Sequence, residues 1–222
     1  ATSFNQPIGG WNTSKVTSMS YTFQGATAFN QPLHWTTTAV TNVKEMFSGA
    51  AAFNSDISDM NFTSITEMAR MFYGATAFNQ PVAGKFNLTN VTRPQAVFEN
   101  ATSFNQPIDW DFSSVIDLQS FFANATSFNQ DIANWNVSKV SEFQEMFRGA
   151  TSFDTDLSAW DVSDGYGMGN MFADTTYLDR HDLSVWCVAN IPYAPDGFMG
   201  NATTTVNMPV WGTCPRGENT LP

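Results

Sequence analysis

The side chains in this 222-residue sequence best suited to chemistry are two histidines, His34 and His181, two cysteines, Cys187 and Cys214, and several paired aspartates. A histidine works as a general base only beside a nucleophile and an orienting acid. His34 and His181 lie far apart and without a partner motif, so both read as exposed or satisfied residues. The pairs Asp56 with Asp59, Asp109 with Asp111, Asp154 with Asp156, and Asp179 with Asp182 offer the oxygens that calcium prefers. None of them follows an EF-hand loop or a nonapeptide calcium repeat, and they read as solvated carboxylates. There is no Gly-rich phosphate loop and no zinc spacing. No cofactor and no metal are expected, and the chain is expected not to be an enzyme.

Cys187 and Cys214 both fall in the non-repetitive C-terminal stretch. One pair closing a loop reads as a structural disulfide, Cys187–Cys214, which places the chain in an oxidising compartment. The alternative is two separate buried thiols. Candidate N-glycosylation acceptors in N-x-S/T occur at Asn12, Asn61, Asn87, Asn90, Asn100, Asn124, Asn136 and Asn201. Together they suit an extracellular or cell-surface protein. Twenty acidic against nine basic residues give a formal net charge of −11. That balance excludes phosphate-rich partners: no nucleic acid and no docking on anionic lipid. No apolar run approaches the roughly 20 residues of a membrane span, so no membrane insertion by this segment is expected. Because Ala1 opens inside a repeat, a longer multidomain chain is expected around it.

These residues sit on a repeat. Phe4, Phe29, Phe53, Phe78, Phe104, Phe128 and Phe153 recur at steps of 25, 24, 25, 26, 24 and 25 residues, and Leu178 is expected to continue the series in a degenerate coil. Such a period signals coils that bury their apolar faces only by stacking. Four residues after each Phe comes Ile8, Leu33, Ile57, Val82, Ile108, Ile132 or Leu157, an even spacing that suits one face of an extended segment. Val43, Met46, Phe47 and Ala50 then follow helical steps of three and four, as do their counterparts. Each coil is therefore expected to hold a one- to three-turn helix, a short strand and a turn. Pro94 would be tolerated in a first helical turn. The repeated Asn5, Asn30, Asn54, Asn79, Asn105 and Asn129, ended by Asp154, suggests side-chain amides bonded along the stacking axis. The Trp register at 11, 35, 110, 135 and 160 reads as packing between coils rather than as a sugar platform.

The pattern "VTxM…MF…GATxFNQPL…W" resembles the BspA-like bacterial surface-protein repeats, which are related to leucine-rich repeats. The stretch "DLSVWCVANIP…VWGTCP" looks like the segment that closes such arrays. The resemblance implies an α/β repeat solenoid, curved and leucine-rich-repeat-like, with about 25 residues per coil. It places the repeats at 1–177, a degenerate last coil and disulfide-stapled cap at 178–214, and a linker or tail at 215–222. The expected function is a non-catalytic extracellular surface module for recognition or adhesion, with a protein or glycan ligand. The alternative is a structural component of a coat, fibre or appendage.

Overall fold

The computed structural model describes residues 1–175, 177, 180–198, 200 and 208–215. Among these there is no α-helix, and strand pairing is limited to isolated parallel bridges such as Ser18 with Asn42 and Glu142 with Gly167. The expected leucine-rich-repeat-like α/β solenoid, with a helix and a strand in each coil, is not what the chain forms. Its coils are built from turns.

The helical spacing has another cause. Seven six-residue turn runs occupy 20–25, 44–49, 69–74, 95–100, 119–124, 144–149 and 169–174. In the second run Met46, Ser48 and Ala50 donate their amides to the carbonyls of Val43, Glu45 and Phe47 at 3.1, 3.2 and 3.0 Å. The intervening amides of Val43, Glu45, Phe47 and Gly49 instead donate to Glu67, Ala69, Met71 and Tyr73 of the next coil. A helix would spend every amide on itself, through bonds from residue i to i−4. Here half of them point along the stack. The reversal is made by left-handed residues, Glu45 at φ 54° and Gly49 at φ 69°, which place alternate peptides outward. Val43, Met46, Phe47 and Ala50 are still fully buried. Linked turns and a helix therefore leave the same apolar pattern in the sequence.

The expected strand fails for a different reason. In Asn-Gln-Pro the proline has no N–H, so Pro7, Pro32, Pro81 and Pro107 cannot extend a backbone ladder. Side chains supply the ladder instead. The amide oxygen of each Asn accepts the backbone N–H of its counterpart one coil on, from Asn5 through Asn129 to Asp154, in six rungs of 2.8–2.9 Å.

Between the turn run and this ladder lies the core. Phe29, Phe53, Phe78, Phe104, Phe128 and Phe153 stack along the axis with ring centres 5.9–6.1 Å apart. A second column runs through Phe23, Phe47, Phe72, Phe98, Phe122, Phe147 and Phe172. Within a coil the two rings lie near 4 Å, as for Phe47 and Phe53 at 4.0 Å. The offset stacking adds roughly 0.5–1.5 kcal/mol per pair beyond burial. Buried Trp35, Trp110, Trp135 and Trp160 pack beside them. Each donates its indole N–H to a carbonyl of the preceding coil at 3.1–3.3 Å. Trp11 is exposed and stacks on Trp35 at 6.4 Å. Pro94 lies buried in the apolar column of Val43 and Leu118, immediately before the turn run at 95–100 rather than in a helix. Gly165 stands where valines recur, and a Cβ there would meet the Val162 carbonyl oxygen at 2.9 Å as well as the Met168 methyl at 2.7 Å.

The eighth coil departs from expectation by one residue. Tyr177, not Leu178, takes the aromatic place: its ring stacks on Phe153 at 5.6 Å, and its hydroxyl accepts the Leu157 amide at 3.0 Å. Leu178 itself lies outside the described residues. Beyond it Phe198 meets Phe172 edge-on at 5.6 Å and ends that column. The Cys187–Cys214 disulfide is formed. Beside it the Val188 amide donates to the Thr213 carbonyl at 2.9 Å.

Candidate functional site

The chemistry-bearing residues are each absorbed by the stack. His34 Nδ1 lies 2.6 Å from Asp59 Oδ2, and His181 Nε2 lies 2.9 Å from Asp154 Oδ1. These pairs bridge neighbouring coils, and no nucleophile bonds to either ring among the described residues. Asp154 also accepts from Arg180 Nη1 at 2.7 Å. It closes the asparagine ladder with a carboxylate facing two cap side chains. The bond from His181 and then that from Arg180 hold its carboxyl below the ordinary value.

The remaining aspartates are mostly turn formers. Asp56, Asp111, Asp156, Asp161 and Asp182 each accept the amide of a serine two residues on, at 2.7–3.1 Å. The Ser58 hydroxyl and amide lower the Asp56 acidity value, and the Ser113 amide and hydroxyl do the same for Asp111. Asp109 accepts the Gly84 amide at 2.9 Å. Asp179 lies outside the described residues. No group of three metal-binding side chains exists among the described residues.

The same turns account for several sequons. Asn12, Asn87 and Asn136 accept the amides of Ser14, Thr89 and Ser138 at 3.0–3.3 Å, as Asp111 and Asp161 do in sister coils. The shared requirement is an acceptor oxygen followed by a residue with a hydroxyl, and it writes N-x-S/T without reference to sugar. Asn100 and Asn124 have φ 60° and 57° where other coils carry glycine, and Asn124 Nδ2 donates to Asn100 Oδ1 at 3.0 Å. Asn61 and Asn90 are exposed. Asn201 lies outside the described residues.

What varies between coils is the outer face of the turn run. Two adjacent columns form it. One reads Ser20, Lys44, Ala69, Gln95, Gln119, Gln144 and Gly169. The other reads Tyr21, Glu45, Arg70, Ala96, Ser120, Glu145 and Asn170. Each amide of the second column donates to a carbonyl one coil on at 2.9–3.0 Å, which locks the two columns in register. All seven residues of the second column have φ of 54–60°. That conformation costs a non-glycine residue roughly 1–2 kcal/mol, and none of the seven is glycine. Inward, the second Phe column never changes.

On this face lies a shallow dip of about 170 Å³ lined by Lys44, Glu45, Ala69, Arg70 and Gln95. The Lys44 ammonium lies 5.9 Å from the Tyr21 ring centre, and the Arg70 guanidinium lies 5.6 Å from that of Tyr73. Gln24 Nε2 donates to Glu45 Oε2 at 2.5 Å. Nearby Glu99 is half-buried, and burial raises its carboxyl above the ordinary value against the opposing fields of Arg70 and Arg148. Lys44 and Arg70 stand in adjacent coils, far apart in sequence. Their convergence follows from the turn geometry, which no local signal announces.

A non-helical stack of roughly 25-residue turn-built coils, with an asparagine ladder on one side and a variable face on another, defines the structural class. The chain belongs to the family described as "Mycoplasma protein of unknown function, DUF285", whose model matches residues 1–109 and again 108–211. No curated protein and no solved structure matches it.

Proposed function

We propose that this chain is a non-catalytic extracellular surface module that recognises a protein or glycan ligand through the outer face of its turn runs. The observation that carries this reading is the contrast between faces. The ladder repeats its asparagine from coil to coil, whereas one stacked position of the turn face reads Tyr21, Glu45, Arg70, Ala96, Ser120, Glu145 and Asn170. At that position any side chain other than glycine is strained. Tyr21, Glu45, Arg70, Glu145 and Asn170 of that column reach solvent while Ala96 and Ser120 are buried, and strain kept at solvent-reaching positions is a mark of a surface used for contact. The disulfide supports an oxidising location, and the likeness to BspA-like surface repeats points the same way. Stacked coils present extended surfaces of this kind to their partners.

The test is to screen the purified chain against arrays of glycans and surface proteins, with light scattering on the same sample. Saturable binding by a monomer, weakened by substitutions at Arg70, Glu145 or Tyr21, is the expected result. Concentration-dependent assembly with no ligand would instead favour a coat or appendage component.

A further inference from the structure

We draw no further inference here: the strongest candidate, the row of Asn and Gln side-chain amides from Asn30 to Gln130 along the ladder, spends its Asn oxygens on holding coil to coil, and nothing in the structure shows what covers the rest of that face.

Discussion

At the residue scale the fold depends on which side chains tolerate a left-handed backbone. Gly25 has φ 65°, and a Cβ built there would touch nothing within 4 Å, so its substitution isolates backbone strain from packing. Gly25→Ala should cost about 1 kcal/mol, and Gly25→Asn distinctly less, since asparagine holds the stacked place at 100 and 124. Urea unfolding of the two variants measures this, and an equal loss in both would show that strain is not what selects the residue. Glu99 gives a second prediction, with its sign fixed by linkage. Burial raises its folded value above the unfolded one, so the charged form opposes folding once pH climbs past the ordinary glutamate range. Glu99→Gln should therefore raise Tm at pH 7 and leave it little changed near pH 3. A rise of equal size at both pH values would mean that charge is not the cause. Asp154 has the opposite sign. Its depressed value means that its bonds to His181 and Arg180 stabilise the fold above the ordinary aspartate range and fade as pH falls below it.

At the element scale, the sequence made the period and the inward columns legible but not the conformation joining them. Phe, Ile and Trp positions recur because identical places stack, and that inference needs no knowledge of backbone angles. Val43, Met46, Phe47 and Ala50 satisfy a helix and a chain of linked turns equally well. The deciding signal was the residue between them: Glu45, Arg70 and Tyr21 carry no glycine-like mark of the left-handed region they occupy. The asparagine row was readable as a ladder because only stacking explains so fixed a polar position. Its energetics can be tested at Asn79, whose side-chain oxygen accepts the Asn105 amide at 2.9 Å and Gln106 Nε2 at 3.1 Å. Asn79→Ala strands two donors and should cost about 1–3 kcal/mol. Asn79→Asp keeps the acceptor, as Asp154 does in the last rung, and should cost less at neutral pH. Equal destabilisation by both variants, measured by chemical denaturation, would remove the ladder from the account of stability. The site was the least legible part. A dip made by Ala69 between Lys44 and Gln95 depends on which residues stack, not on any neighbour in sequence.

At the scale of the whole molecule, stability in such a stack is a sum of coil and interface contributions, so a perturbation should spread only as far as neighbours couple. The C-terminal coil is the place to see this. Tyr177 and Trp186 bond to the amide and carbonyl of Leu157, and the Cys187–Cys214 bridge, at a sequence separation of 27, closes the loop that follows them in the chain. Loop-closure entropy for that length is worth roughly 3–4 kcal/mol. Replacing both cysteines by serine should cost an amount of this order, and the loss should be local. Hydrogen exchange offers the readout, because exchange reports opening segment by segment. The Val188 amide, bonded to Thr213 across the bridge, should lose protection. The Phe98 amide, bonded to Phe121 in the middle of the stack, should keep most of its own. Loss of protection at both amides together would make the chain one all-or-none unit with the disulfide as its keystone. Loss confined to Val188 would make the disulfide a clasp on the end of a stack held by its aromatic columns and asparagine ladder.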